Sequence, residues 1–294
     1  MKRILLIFAV TLGWSAYAQD DATPVVDTTK YWTKKGTLTA LFNQSTFDNW
    51  LAGGENNISG TVGVNYDFNY KKDLWSWDNK IIASYGLVKT KTSSFAKKTD
   101  DRLELNSLLG KQVRTNAKWY YSAFLNFKTQ FTKGYNYGTD ENGAETRVEY
   151  TNFMSPAYLS FGPGIMWKQN DNLKVNLAPA TSKMTFVNED FTLPDDAYFG
   201  VEEGKSMRYE LGFNASAYYK FVVMANVSFE NILNLYSNYL EDPQNVDLDY
   251  QLNIVLKINK YLTTNIAFQT IYDDNAYRGF QVRQVFGVGF NYGF

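Results

Sequence analysis

Apolar and polar residues alternate along most of this chain. The alternation has the period of two that places successive side chains on opposite faces of a β-strand. Across residues 208–221 it is unbroken: Tyr209, Leu211, Phe213, Ala215, Ala217, Tyr219 and Phe221 face one way, and Arg208, Glu210, Gly212, Asn214, Ser216, Tyr218 and Lys220 the other. Residues 246–258 repeat it, with Leu248, Tyr250, Leu252, Ile254 and Leu256 against Asp247, Asp249, Gln251, Asn253 and Lys257. Residues 280–294 set Phe280, Val282, Phe286, Val288, Phe290, Tyr292 and Phe294 against a small or polar set that includes Gly287, Gly289 and Gly293. Strands are also predicted at 37–44, 58–70, 75–88, 102–113, 119–131, 154–167, 173–187, 223–235 and 262–272, twelve in all. Pro156 and Pro163 fall in the sixth and Pro179 in the seventh. Bulges are expected there, because proline offers no ladder donor.

The connections alternate too. Those at 71–74, 115–118, 169–172, 220–222 and 259–261 are short, whereas 47–57, 90–101, 132–153 and 188–207 are long. Trp75, Trp77, Trp119, Tyr120, Tyr121, Trp167, Tyr219 and Tyr261 flank the short turns. A soluble sandwich core would not gather its aromatics beside turns; a membrane boundary would. The expected fold is therefore all-β: a transmembrane antiparallel up-and-down β-barrel of about twelve strands, with short periplasmic turns and longer extracellular loops.

The bulk numbers fit. Aromatics make up 17% of the chain, yet mean hydropathy is −0.36, as suits a wall in which only every second residue meets lipid. Lys2-Arg3, an apolar run at 4–12 and Ala16-Tyr17-Ala18 predict a cleaved signal peptide over 1–18. Its loss, with Lys2 and Arg3, moves the formal charge from −1 to −3. A polar lead-in is expected at 19–35 and the barrel at 36–294. The terminal strand resembles the signal that outer-membrane barrels present to their assembly machinery, with Phe290, Tyr292 and Phe294 as its aromatics. Outer-membrane lipid and that machinery are thus the expected partners, and the outer membrane the expected location.

Candidate chemistry is sparse. The chain holds no cysteine, which removes thiolate metal sites, and no histidine, so a serine or aspartate nucleophile lacks its usual proton acceptor. No enzyme activity, metal or cofactor is expected. The balanced charge offers no basic stripe for nucleic acid. Asp140-Glu141-Asn142-Gly143 and the acidic residues at 195–196 and 202–203 lack the spacing of a calcium loop and read as solvated charge. If the polar faces line a lumen, they carry Asp67, Asp78, Lys80, Arg102, Glu104, Lys128, Lys174, Arg208, Glu210, Lys220, Glu230, Asp247, Asp249, Lys257 and Arg283. Such charges must be hydrated, as in a pore, or paired, as in a structural network.

The first long loop is the most individual segment. It contains Phe42, Asn43, Gln44, Asn49, Trp50, Gly53, Gly54 and Asn56, written FNQ-x4-NW-x2-GG-x-N. Two readings are open: a segment folded into the barrel mouth as a plug, or a ligand contact through its amides and Trp50. The block resembles the signature of a Gram-negative outer-membrane barrel family of unknown function. That resemblance implies location and architecture and carries over no catalytic residue. The expected function is a channel or facilitator for a small polar solute. The alternative is a non-conducting accessory subunit of an outer-membrane assembly. The sequence leaves the oligomeric state open.

Overall fold

The computed structural model describes residues 31–46, 55–192, 198–259 and 261–294. The alternating segments form one closed antiparallel sheet. Its wall runs through β1 (Trp32–Ser45), β2 (Asn57–Lys72), β3 (Trp75–Thr90), β4 (Lys97–Gln112), β5 (Trp119–Thr129), β8 (Ala157–Asn170), β9 (Leu173–Phe186), β10 (Met207–Met224), β11 (Val227–Asn238), β12 (Asp247–Lys257), β13 (Leu262–Asp273) and β14 (Tyr277–Gly293). β14 pairs back onto β1 and closes the ring. Between β5 and β8 stand β6 (Gly134–Thr139) and β7 (Glu145–Thr151), a separate hairpin outside the wall. Short turns gather at one end of the barrel, the turn end, and long connections at the other, the loop end.

Several boundaries differ from the sequence reading. β1 begins at Trp32 rather than at 37, because Trp32–Lys35 pair with Tyr70–Asp67 and the Trp32 ring packs on Tyr70 and Trp77 at 5.2 and 5.8 Å. No turn forms at 220–222; β10 runs on to Met224, and the turn lies at Ala225 and Asn226. The 132–153 connection holds the β6–β7 hairpin. Asp140 accepts hydrogen bonds from the Asn142 and Ala144 amides at 2.9 and 2.7 Å, and Gly143 takes φ +80°. The Asp140–Gly143 stretch is therefore a hairpin turn of the kind that asparagine and glycine favour. The expected bulges are present, between Phe161 and Ile165 of β8 and between Gly212 and Asn214 of β10 opposite Pro179.

Burial is inverted relative to a soluble protein. Phe280, Val282 and Phe286 are 64–66% exposed, whereas Glu104 and Glu210 are each 2% exposed. Most apolar side chains of the wall strands point outward and most charged ones inward. Among the turn-end aromatics, Trp75, Trp77, Trp119, Tyr121, Tyr219 and Tyr261 lie on the exposed side. Tyr120 does not: it is buried on the inner face, since it sits one residue out of phase with Trp119 and Tyr121. An apolar exterior with an aromatic rim and a polar interior is the arrangement of a membrane-spanning barrel.

The β1–β14 seam is short, from Thr37↔Gly293 to Leu41↔Gly289. Beyond it, Gly36 and Phe294 exchange backbone hydrogen bonds at 2.6 and 3.0 Å. The Phe294 ring covers Gly36, occupying the space a Cβ would take, and stacks on Tyr66 at 6.1 Å. On the inner face Leu41 projects against Gly287 and Gly289, where a Cβ would collide with it. The small residues of β14 are thus a packing requirement of the seam. Gly36→Leu should cut the fraction migrating as folded barrel on unheated gels severalfold. Adding Phe294→Ala should restore part of it, because the clash is with the ring. An unchanged folded fraction in Gly36→Leu would show that the ring is free to leave.

Candidate functional site

The lumen is the candidate site, and its charges form layers. Nearest the turn end, Asp78 of β3 receives Lys168 of β8 at 3.0 Å and Lys174 of β9 at 2.8 Å. Next, Lys80 of β3 meets Glu230 of β11 at 2.9 Å, and the Tyr218 hydroxyl donates to the same carboxylate at 2.8 Å. At mid-depth Arg102 binds Glu104 and donates to Gln251 of β12 at 2.8 Å. Asn106 donates to Glu104 at 2.8 Å, and Asn126 to Asn106 at 2.6 Å. Lys128 then pairs with Asp249, which also accepts from Gln269 at 2.9 Å. Toward the loop end Lys183 contacts Asp247, Glu210 and Asp273 at 2.8, 3.4 and 3.6 Å. Arg283 pairs with Asp100 at 2.6 Å, and Arg208 with Glu241 at 2.7 Å.

Two of these contacts join opposite walls. In the closed order β3 and β11 are six strands apart, as are β4 and β12. A circular ring of this size, with strands about 4.8 Å apart and tilted about 40°, is roughly 24 Å across, whereas paired long side chains bridge about 15 Å between Cα atoms. The barrel is therefore flattened, and its lumen is crossed by side chains at mid-depth.

Crossing is not filling. A chamber of about 460 Å³ lies toward the loop end, bounded by Lys128, Tyr158, Lys183, Asp249 and Arg283. A second, of about 410 Å³, lies toward the turn end between Asp78, Lys80, Lys174 and Tyr218. Phe124, Asn126 and Asn234 line both, so they form the septum. Asn214 Oδ1 and the Tyr236 hydroxyl are buried without a hydrogen-bond partner, and both residues line the loop-end chamber. Phe199 reaches the same chamber from a loop cluster in which Val187, Tyr198 and Val201 are buried together.

Outside the wall, the β6–β7 hairpin is tied back to the β3–β4 loop. Arg147 lies over the Phe95 and Tyr135 rings at 4.5 and 4.3 Å, and Lys97 pairs with Glu145 at 2.7 Å. Hydrogen bonds from Lys97 and Ser93 hold the Glu145 carboxyl down at about 2.

Lys80, Arg102, Glu104, Lys128, Arg208, Glu210, Asp247, Asp249 and Arg283 all join the inner network. Lys257 does not: it lies exposed at the turn end of β12 and joins none of these ion pairs. Asn43 and Gln44 are not loop residues; they pair with Ser59 and Ile58, because the β1–β2 ladder runs up to Ser45. Asn56 accepts a hydrogen bond from the Lys91 amide at 2.9 Å. Asn49, Trp50, Gly53 and Gly54 lie outside the described residues. Phe290, Tyr292 and Phe294 are on the outer face. Sequence reasoning missed Asp100, Lys168, Lys183 and Asp273. The first, second and last lie just beyond the predicted strand bounds at 102, 167 and 272, and Lys183 follows the break at Pro179 that disturbs the alternation.

Residues 42–135 match a family described as "Protein of unknown function (DUF3078)". The expected likeness to a family without assigned activity is found on this stretch. No curated protein matches the sequence. Among solved structures, the translocator domain of autotransporter NalP from Neisseria meningitidis is 11% identical with a TM-score of 0.37, over 89% of this chain and 86% of that one. The Pseudomonas putida toluene transporter TodX is 9% identical with a TM-score of 0.36, over 89% and 87%. The NanC porin is 8% identical with a TM-score of 0.33, over 88% and 97%. Likenesses this distant carry no argument about solute or mechanism.

Removing one member of a partly buried pair leaves its partner uncompensated. Lys80→Met should therefore destabilise the folded barrel by about 3 kcal/mol, read as a lower urea midpoint for unfolding in lipid vesicles. Lys80→Met/Glu230→Gln should recover most of the loss. Equal midpoints for wild type and Lys80→Met would mean that Glu230 needs no cation.

Proposed function

We propose that this protein is an outer-membrane barrel that passes a small polar solute through a lumen interrupted by a polar septum. The two chambers carry this reading. They lie along one axis and share Phe124, Asn126 and Asn234 as walls, which a lumen serving only as filler would not need. The septum is built from amides and paired charges around Arg102, Glu104, Asn106, Asn126 and Gln251. Such groups can exchange one another for water or for a solute bearing hydroxyls, amides or charges, at little net cost in hydrogen bonds. Aromatic walls at Phe124, Tyr158 and Tyr236 offer ring faces to the apolar side of such a solute.

The turn end faces the periplasm and the loop end the exterior, following the usual disposition of short turns and long loops. The outer-face aromatics of β14, Phe290, Tyr292 and Phe294, engage the assembly machinery. In this reading the protein is not an enzyme: Asp78, Glu104, Glu230 and Asp249 are each paired with lysine or arginine, and the chain has no histidine to act beside them. A second reading, a non-conducting accessory subunit, draws on the ion pair and the hydrogen bond between opposite walls.

The protein should fractionate with the outer membrane and migrate faster unheated than heated. Recovery from the soluble periplasm would end the reading. In liposome-swelling assays with small sugars and amino acids, wild type should give slow, solute-dependent permeation. Arg102→Gln/Glu104→Gln, which removes both charges together, should raise it severalfold. If folded wild type and variant are equally impermeant, the accessory-subunit reading stands instead.

A further inference from the structure

At the loop end the carboxylates outnumber the cations. Asp247 opens β12, Asp273 ends β13 and Asp274 follows it. One carboxylate oxygen from each lies within 4.8 Å of the others. Oxygens that share a calcium ion at about 2.4 Å stand at most about 4.8 Å apart, so this spacing suits a single hard cation. Glu210, Glu241, Asp242, Asp247 and Asp274 converge on one small cavity of about 10 Å³, with Asn238, Asn245 and Asn275 between them. That is about the space one water or one ion needs.

A second observation comes from Glu210. It is 2% exposed and lines this cavity, yet its Oε1 accepts no hydrogen bond. Its nearest cation there, Arg208, stands 3.6 Å away and is drawn off to Glu241 at 2.7 Å. The other Glu210 oxygen lies 3.4 Å from Lys183, which is itself shared with Asp247 and Asp273. Lys183 and Arg208 thus share four carboxylates, Glu210, Glu241, Asp247 and Asp273. A buried carboxylate oxygen left without a hydrogen bond is costly, and a divalent ion would remove that cost.

We propose a calcium site at the loop end, with Asp247, Asp273 and Asp274 as ligands and Glu210 completing the charge. All four offer oxygen, the donor hard cations prefer, and the chain has no thiolate or imidazole to select a softer metal. The ion would join the β11–β12 and β13–β14 connections to β10. Asp247 and Asp273 also border the loop-end chamber. Calcium would therefore compete with Lys183 for them and brace the chamber's outer rim. The site does not depend on whether the lumen conducts.

The test uses the full barrel, refolded in detergent after chelator treatment, with calcium chloride as the probe. Saturable binding with a Kd on the order of 10⁻⁴–10⁻³ M is expected, as in extracellular modules. At about 10 mM calcium the thermal midpoint should rise by about 2–4 °C. Terbium luminescence, displaced by calcium, should report the same site. Asp274→Asn, on the outer side of the cluster, should weaken binding at least tenfold while still migrating as a folded barrel. Asp247→Asn provides an independent second variant. Asp140→Asn, in the distant hairpin turn, should bind as wild type does. No saturable calcium effect in wild type, or equal terbium binding in wild type and Asp274→Asn, would overturn the proposal.

Discussion

A strand set in hydrocarbon finds no water for its N–H and C=O groups, so every one must pair with a neighbouring strand and the sheet must close. That constraint concentrates on the β1–β14 seam, where strands distant in sequence meet over a short ladder. The Phe294 ring over Gly36 and Leu41 against Gly287 and Gly289 hold the seam together from outside and inside. The same closure fixes which residues face lipid. With the register set, a slip of one residue would bring Arg208, Glu210 and Lys220 to the outer surface.

Closure at twelve strands then creates the lumen's difficulty. The ring is too wide for apolar side chains to fill, as they do in eight-stranded barrels, and too narrow to stay open like a large porin. Long charged side chains reach across instead. Desolvation makes them pair, and pairing between β3 and β11 and between β4 and β12 draws opposite walls together. The flattened section that results leaves volume at both ends and a polar septum between. The chambers and their separation follow from two contacts, Lys80 with Glu230 and Arg102 with Gln251.

Where the wall is interrupted, local chemistry explains it. Proline at 163 and 179 removes ladder donors, and the sheet answers with bulges rather than with a break. At Gly162 and Gly164 a Cβ would meet the Ala180 and Leu177 carbonyls at 2.6 and 2.5 Å, so the bulged strands approach more closely than other residues allow. Asp140 and Gly143 close a hairpin outside the wall, and Arg147 anchors it between two rings.

The sequence by itself determined the twelve wall strands and their inward and outward faces, though not the β6–β7 hairpin, because period-two alternation is a local property that lipid and lumen both enforce. It placed Lys80, Arg102, Glu104, Lys128, Arg208, Glu210, Asp247, Asp249 and Arg283 on the inner face for the same reason. It did not pair them. Lys80 and Glu230 are 150 residues apart, and only the closed ring makes them neighbours. Strand ends were the weakest part of the reading, since Trp32 and Met224 extend ladders whose partners lie elsewhere in the chain. Lys183 and Asp273 were hidden by a bulge and by a strand terminus. The two chambers and the acidic cavity of Glu210, Asp247 and Asp274 were decided by tertiary structure alone, because a cavity is a relation between walls that no single strand encodes.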